Sequence, residues 1–325
     1  MNYRRVLLIH FGQLGDAVMA LPAARALSAA LPKASLTVLA SRGGAEIFRL
    51  AGFGDVWPVD RVRWRRHKLR AAIEIAALVA RLRRQRFDLA VDLHSFKETN
   101  LLAWAARART RCAMLRRTRS YPSLINLKPP PDDPDGRLLD RYCRVLEPLG
   151  IAVTDRQPRL RPPAPPCRLE LVPGAVYIGI CPGAGHPARC WPPERFVAAY
   201  RAFAATASPP SQLLVFAGPE EREETLAPFR ASPEARIMAG LSLPELAAAL
   251  AACRLVVANA SGPSHVAAAV GAAVVTVGEI PAFDPVGRVW PVRAVGAVAN
   301  VAVDAVVAAI RAAWSAGEAR GSGVQ

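Results

Sequence analysis

Short apolar runs that alternate with segments of helical spacing restrict the fold of this chain more than any other feature. Residues 6–10 form such a run, a turn with two glycines ends it, and residues 17–31 then repeat apolar side chains at helical intervals. The same order continues to residue 93, and it returns between residues 176 and 277. Strands that alternate with helices in this way predict parallel sheets and therefore an α/β fold.

The length and one proline-rich segment predict two domains. At 325 residues the chain exceeds one ordinary α/β domain, since domains commonly hold about 100–200 residues. Residues 156–174 are rich in proline and lack periodicity, as an interdomain linker does. We therefore expect domains at residues 1–165 and 166–325. A final helix is predicted over residues 301–316 and is a candidate to pack back on the first domain.

Excess positive charge is confined to the first half of the chain. Residues 1–165 hold 30 Lys and Arg against 14 Asp and Glu, whereas residues 166–325 hold 12 of each kind. A basic domain joined to a neutral one indicates that the first domain meets an anionic ligand or membrane surface. Arginine used only for solubility is one alternative, and nucleic-acid binding is another. The sequence lacks interleaved aromatic residues and any known nucleic-acid motif, so we expect no nucleic-acid partner.

Cysteine spacing, acidic residues and hydropathy bear on metals, disulfides and membrane spans. The six cysteines form no C-x-x-C pair, which disfavours a zinc site and a disulfide framework. Asp133 and Asp135 form the only D-x-D motif, but this motif lies in a proline-rich segment that predicts a loop before a helix. No stretch reaches about 18 uninterrupted apolar residues. We expect reduced thiols, no bound metal and a cytoplasmic protein.

The segment from Asn259 to His265 follows one apolar run and begins the next helical one. Ser261 or Gly262 can cap that helix and Pro263 suits its first turn, so free backbone N–H groups point to where an anion can bind. A nucleoside diphosphate would fit there, with His265 as a donor to phosphate. The alternative is an ordinary capped helix in which His265 packs in the core.

A second strand, turn and helix start surrounds Asp16. Gly12 and Gly15 permit a tight turn, and Asp16 then lies near the helix N-terminus. The carboxylate is either a helix-start residue or a general base at the carboxyl edge of the sheet, where open α/β sheets bind ligands. The spacing is not the G-x-G-x-x-G of dinucleotide folds, which disfavours a dehydrogenase.

These two segments, together with residues 182–196 and 216–222, resemble glycosyltransferase family 9 in the same order along nearly the whole chain. The resemblance implies the GT-B architecture, in which two Rossmann-like domains with parallel sheets face a central cleft. The N-terminal domain would hold the acceptor and the C-terminal domain a nucleotide-sugar, which is ADP-heptose in the best-known members. It implies inverting, metal-independent transfer of a heptose or related sugar, with no cofactor beyond the donor.

The resemblance also implies roles for particular residues. Asp16 matches the catalytic base, and Glu221, or its neighbour Glu220, matches an acidic residue that can hold the ribose hydroxyls. Helix-end amides and Arg189 would neutralise the leaving diphosphate. The donor-binding residues implied in this way are Gly15, Arg189, Glu221, Leu241, Ser261, Gly262 and His265.

Acceptor binding is predicted on the basic side of the first domain. The sequence around Arg63, Trp64 and Arg66 resembles a segment of heptosyltransferases that act on phosphorylated lipid A and Kdo. Because arginine pairs well with phosphate, this segment is a candidate to bind the phosphates of the acceptor. The alternative is a solvated basic loop. His94 resembles the acceptor-side turn of the family, or is a buried structural histidine. The predicted acceptor residues are Arg63, Arg65, Arg66, His94 and Arg117, with Arg116 and Arg119 extending the surface.

The chain also departs from the family pattern. Ala260 stands where members usually have Asp, and His10 where Lys or Arg is common. The main hypothesis is a monomeric heptosyltransferase of the lipopolysaccharide core that acts on an anionic glycolipid at the cytoplasmic face of the inner membrane. The alternatives are a member that uses another nucleotide-sugar for a different surface glycan, and a non-catalytic nucleotide-binding relative.

Overall fold

A computed structural model describes the chain in several ranges. These are residues 2–116, 118–128, 131–166, 169–172, 174–219, 221–279 and 281–321. For residue 65 and residues 317–321 the structure describes the backbone only. Two compact units divide between Pro158 and Arg159. The expected boundary was between residues 165 and 166. The division comes earlier because the Leu160 N–H already bonds the Ala269 carbonyl of the second unit.

The first unit is a parallel sheet with helices. Its elements are β1 (Arg5–His10), α1 (Leu14–Ala30), β2 (Ser35–Ser41), α2 (Arg42–Leu50), β3 (Val56–Val59), α3 (Arg61–Arg66), α4 (Lys68–Gln85), β4 (Leu89–Asp92), α5 (Lys97–Ala105), β5 (Thr110–Ala113) and α6 (Leu138–Arg144). In the described residues the strands run in the order β3, β2, β1, β4, β5. The central strand β1 is buried from Val6 onward because both of its faces are covered. Leu7 and Ile9 share one core with Leu82 of α4 and Leu102 of α5.

The second unit repeats the arrangement. Its elements are β6 (Tyr177–Cys181), α7 (Pro193–Ala204), β7 (Gln212–Phe216), α8 (Glu223–Arg230), β8 (Ala235–Met238), α9 (Leu243–Ala252), β9 (Cys253–Asn259), α10 (Gly262–Ala269), β10 (Ala273–Gly278), β11 (Val289–Arg293) and α11 (Val303–Gly321). The described strands are parallel in the order β11, β10, β9, β6, β7, β8. The predicted parallel α/β fold is therefore confirmed.

The final helix α11 packs on the sheet of the second unit and on α7. Trp314 meets Phe203 of α7 at a ring-centre distance of 5.1 Å, and the Arg254 guanidinium lies 3.8 Å from the centre of the Trp314 ring. Val306, Ile310 and Trp314 recur at a spacing of four residues, so one face of the helix joins the core. That α11 packs back on the first domain stays a prediction.

The structure corrects the interpretation of residues 61–66 as a basic loop. They form the short helix α3, because the Asp60 carboxylate caps its start by accepting from the Arg63 N–H at 2.9 Å. Within the predicted linker, residues 156–174, the described residues contain no α-helix or strand. Residues 131–137 form a loop before α6, also as predicted.

Candidate functional site

The turn before α1 and the turn before α10 both lie where the strand order of their sheet reverses. In the first unit the reversal falls between β1 and β4, and in the second it falls between β6 and β9. Open α/β sheets bind ligands at the carboxyl ends of the strands at such a point. Asp16 and His94 follow β1 and β4, while residues 182–191 and Ser261 follow β6 and β9. The topology therefore marks two candidate sites, one in each unit.

Asp16 lies in the first turn of α1. Its side chain is half-buried and accepts a hydrogen bond from the Gln13 N–H at 3.1 Å. Burial raises the pKa of Asp16, while the Gln13 N–H and the charge of Arg116 oppose that rise. The helix N-terminus favours the anionic form, while burial makes the carboxylate a stronger base than an exposed one. These are the properties that a general base needs.

Gly12 holds the turn tightly against Asp16. A Cβ atom at this position would lie 2.6 Å from the Asp16 Cβ and 2.6 Å from the His10 Cε1. The His10 ring has no room to retreat because it is fully buried, and the Asp16 Cβ is fixed by the backbone of α1. Only glycine therefore fits, and the tight turn places the His10 ring and the Asp16 carboxylate next to each other. Gly15, predicted as donor-binding, is buried in the same helix turn.

His10 and His94 form a neutral pair beneath the turn. Their ring centres are 5.7 Å apart, and the His10 Nε2 lies 3.2 Å from the Tyr142 hydroxyl of α6. Burial lowers the pKa of His10 to about 3 and that of His94 to about 2, so both rings are uncharged at neutral pH. The His10 Nδ1 and both ring nitrogens of His94 have no hydrogen-bond partner in the described part of the chain. Buried polar atoms without a partner are rare, so these nitrogens mark the pair as part of the candidate site.

A buried network shapes the turn after β4. The Asp92 carboxylate accepts from the Ser95 N–H at 2.7 Å and from the Asn100 Nδ2 at 2.8 Å. Ser95 adopts a left-handed backbone conformation with φ of +59°. Burial raises the pKa of Asp92 to about 6 despite these hydrogen bonds. Asp92 thus orders the turn that carries His94.

Arg116 supplies positive charge to this site. Its guanidinium lies 5.1 Å from the centre of the Phe96 ring, and its side chain is half-buried. Its charge contributes to the lowered pKa of His10 and of His94 and opposes the raised pKa of Asp16. The sequence placed Arg116 only at the edge of a basic surface, because nothing local shows that it meets the β1 turn. The predicted Arg117 lies outside the described residues.

Of the arginines in α3, Arg61 reaches the Asp16 turn. It donates to the Phe11 carbonyl at 3.1 Å and to Glu98 at 2.6 Å. Arg63 instead pairs with Glu74 at 2.8 Å, and Arg66 is exposed. The side chain of Arg65 lies outside the described residues. The structure therefore links Arg61, rather than Arg63, to the turn that carries the candidate base.

Asn259 ties the two turns of the second unit together. This residue ends β9 and is fully buried. Its Oδ1 accepts from the Trp191 N–H at 2.9 Å, and its Nδ2 donates to the Pro182 carbonyl. The loop after β6 is thereby fixed beside the start of α10. This role of Asn259 could not be predicted from the sequence, because its partners lie 68 and 77 positions away along the chain.

The start of α10 carries two unpartnered polar atoms. Ser261 is the N-cap residue, and its buried Oγ has no partner among the described residues; nor has the Nδ1 of His265. Burial lowers the pKa of His265 to about 4, although Asp284 opposes the shift, so the ring is neutral. Gly262 is the first helical residue. The predicted trio of Ser261, Gly262 and His265 is therefore brought together at one helix end.

The other predicted donor residues of the second unit follow the carboxyl ends of β6, β7 and β8. Arg189 and Ala260 line one small cavity of about 40 Å³. Glu221 is half-buried, which raises its pKa, and its carboxylate abuts Gly183 so closely that a Cβ there would overlap it. Leu241 is half-buried in the turn after β8, two strands from β6. Glu220 lies outside the described residues.

In the described ranges no three His, Cys, Asp or Glu side chains are grouped as a metal site would require. Within the same ranges, no helix has the length and apolar character needed to cross a bilayer. Of the described cysteines, Cys112, Cys143, Cys181 and Cys253 are buried and Cys190 is half-buried; Cys167 lies outside the described residues.

Comparison with known proteins gives a family and a fold. Residues 75–278 match glycosyltransferase family 9 (heptosyltransferase). The structure is similar to E. coli heptosyltransferase WaaC with ADP, at 20% identity and a TM-score of 0.79 over 95% of this chain and 99% of that chain. It is similar to the family 9 glycosyl transferase from Veillonella parvula, at 19% identity and a TM-score of 0.79 over 97% and 98% of the two chains.

E. coli ADP-heptose lps heptosyltransferase II is a third similar structure, at 20% identity and a TM-score of 0.78 over 97% of this chain and 99% of that chain. A comparison with curated protein sequences gave no match. The structural likeness covers both units, so the chain shares the fold of these proteins.

Proposed function

The chain belongs to glycosyltransferase family 9 and has the GT-B fold of its heptosyltransferases, and from this premise we propose that it transfers a heptose from ADP-heptose to an anionic glycolipid. The proposed acceptor is the lipopolysaccharide core. The enzyme is proposed to act as a monomer at the cytoplasmic face of the inner membrane. The single observation that carries the reaction is the half-buried Asp16 carboxylate at the reversal point of the first sheet.

The proposed chemistry is an inverting displacement. The Asp16 carboxylate takes the proton of an acceptor hydroxyl, and that oxygen forms a bond to the anomeric carbon of the donor sugar. The bond from this carbon to the diphosphate oxygen breaks on the opposite face, and the nucleoside diphosphate leaves with the bonding electrons. The raised pKa of Asp16 supports the role, because a stronger base accepts the proton more readily.

The donor site is proposed at the start of α10. Two features support it: the positive end of the α10 helix dipole and the unpartnered Ser261 Oγ and His265 Nδ1. Arg189 would neutralise charge on the leaving diphosphate without a metal, and Glu221 would hold the ribose hydroxyls. Leu241 is proposed as part of the adenine wall. A similar solved structure is E. coli heptosyltransferase WaaC with ADP-2-deoxy-2-fluoro heptose, which supports the choice of donor.

The acceptor site is proposed in the first unit. The unpartnered nitrogens of neutral His94 can exchange hydrogen bonds with sugar hydroxyls beside Asp16. The charge of Arg116 supports an anionic group in the acceptor. Arg63, Arg65, Arg66 and Arg117 are proposed to bind its phosphates further out. No metal or cofactor is required by this scheme.

Ala260 favours a second candidate, a transferase that uses a different nucleotide-sugar. The Ala260 side chain fills the space at Gly278, where an added Cβ would lie 2.6 Å from the Ala260 Cβ. It offers no hydrogen bond where the family usually has a carboxylate, so the sugar recognised there would differ. A non-catalytic nucleotide-binding relative is the remaining alternative, and the retained Asp16 speaks against it.

Calorimetry with ADP, UDP, GDP and ADP-heptose tests the donor site. The wild type is compared with the double variant Arg189→Ala and His265→Ala, and Arg311→Ala on the exposed face of α11 serves as the matched control. Selective binding of adenine nucleotides that the double variant loses, and the control keeps, is the expected result. A preference for UDP or GDP would overturn the heptose assignment. No binding of any nucleotide by folded wild-type protein would overturn the donor site.

A further inference from the structure

Helix α4 of the first unit has one side that no other part of the described chain covers. Of its residues, only Ala71 and Leu82 are buried. The opposite side carries an apolar row at helical spacing, in which every residue is exposed. We call this row the outer α4 face, and it consists of Leu69, Ala72, Ile73, Ala76 and Ala80.

The exposure of the outer α4 face is unusual in degree. Leu69 is 86% exposed and Ile73 is 71% exposed, and Val62 of the preceding helix is 62% exposed. Scattered exposed apolar residues are ordinary in soluble proteins. Here the two largest side chains lie one helical turn apart, in line with small residues that allow close approach of a flat surface. Such a row indicates an interaction surface.

The charges beside this row are almost entirely positive. Lys68 and Arg70 are exposed at the start of the helix, and Arg83 and Arg84 are exposed near its end. The only carboxylate of the helix is Glu74, and α3 holds it: Arg63 pairs with it at 2.8 Å and the Trp64 Nε1 donates to it at 3.0 Å. The outer α4 face therefore combines an apolar centre with cationic edges.

We propose that the outer α4 face lies on an anionic phospholipid bilayer, with Leu69 and Ile73 inserted among the acyl chains and the flanking cations on the headgroups. An apolar stripe bordered by Lys and Arg is the pattern of helices that lie in a membrane interface. A second copy of the chain would fit poorly, because pairing two such faces brings like charges together. The proposal stands on this surface and does not require the proposed reaction.

Vesicle co-sedimentation of the full-length protein tests the proposal. Vesicles of phosphatidylcholine with phosphatidylglycerol are compared with pure phosphatidylcholine, and neither contains a glycolipid acceptor. We expect binding to the anionic vesicles only. Leu69→Gln with Ile73→Gln is expected to weaken it about tenfold or more, because two inserted side chains are lost. The matched control, Val172→Gln with Val295→Gln, changes exposed residues of the second unit and is expected to bind as wild type.

A second pair of variants separates charge from apolar insertion. Lys68→Gln with Arg70→Gln is expected to reduce anionic-vesicle binding several-fold, while Arg161→Gln with Arg311→Gln in the second unit leaves it unchanged. Equal binding by wild type and the Leu69 and Ile73 double variant would overturn the assignment. Self-association that this variant abolishes, with no vesicle binding, would assign the face to a second copy. Nucleotide calorimetry on the same samples shows separately whether the donor site is intact.

Discussion

Asn259 offers a sharp test of how the second unit builds its candidate site. Replacement by Ala removes both hydrogen bonds that join the turns after β6 and β9, and leaves the Trp191 N–H and the Pro182 carbonyl without that partner. An orphaned buried polar group costs about 1–3 kcal/mol. Two such groups predict a loss of about 2–6 kcal/mol in the free energy of unfolding, which is a large share of a typical domain's stability.

Asn126 provides the matched control in the first unit. Its side chain also joins two backbone groups, accepting from the Arg111 N–H at 2.7 Å and donating to the Arg109 carbonyl at 2.8 Å. It is exposed, so water can replace both bonds after substitution. Asn126→Ala is therefore expected to cost about 1 kcal/mol or less.

Urea unfolding followed by circular dichroism measures both losses, and calorimetry with ADP measures the consequence for the site. Asn259→Ala is expected to weaken ADP binding as well, because the loop after β6 is released from the start of α10. Equal losses of stability in the two variants would refute the reasoning that burial sets the cost. Full stability and full ADP affinity in Asn259→Ala would refute the positioning role.

Three further predictions follow from close packing, buried charge and buried histidine. Gly183→Ala should displace the Glu221 carboxylate and weaken ADP binding about tenfold, whereas Gly185→Ala, with open space around it, should leave calorimetric affinity unchanged. Asp132→Ala should cost about 3 kcal/mol in urea unfolding, because it strands Arg141 in a pair whose side chains are 9% and 11% exposed; a loss below about 1 kcal/mol would contradict this. His265 has a pKa of about 4 when folded and about 6.5 when unfolded, so the unfolded state binds more protons between these two values, and stability decreases as the pH is lowered from about 6.5 towards 4. His265→Gln should therefore lose about 1 kcal/mol less than wild type between about pH 7.5 and about pH 5.5, and an unchanged pH dependence would refute the neutral buried histidine.

The central strands could be predicted from the sequence, and so could the edge strand β3, three of whose four residues are buried, whereas the other edge strands could not. β1, β4, β6 and β9 are covered on both faces, so their sequences are continuous apolar runs. The strands that were missed, β5, β8 and β11, all lie at sheet edges. Each is short and contains an arginine or half-buried positions, because an edge strand needs less apolar cover.

Site residues could be predicted where the sequence around them shows a motif, but not where distant parts of the chain bring them together. Asp16 and Ser261 could be identified because a strand, a turn and a helix start lie together in the sequence. Arg61, Arg116 and Tyr142 could not be placed beside the β1 turn, since only the parallel topology brings their elements to it. Tyr142 comes from α6 and meets His10 across 132 positions of sequence.

Transfer by Asp16→Asn is the most direct test of the proposed function. The amide keeps the size of the side chain and can still accept from the Gln13 N–H, but it cannot take a proton from an acceptor hydroxyl. With ADP-heptose and a lipopolysaccharide core acceptor, single-turnover transfer is expected to fall about 10²–10⁴-fold while ADP affinity stays at the wild-type value. Transfer by Asp16→Asn within about threefold of wild type would contradict the assignment of Asp16 as the general base.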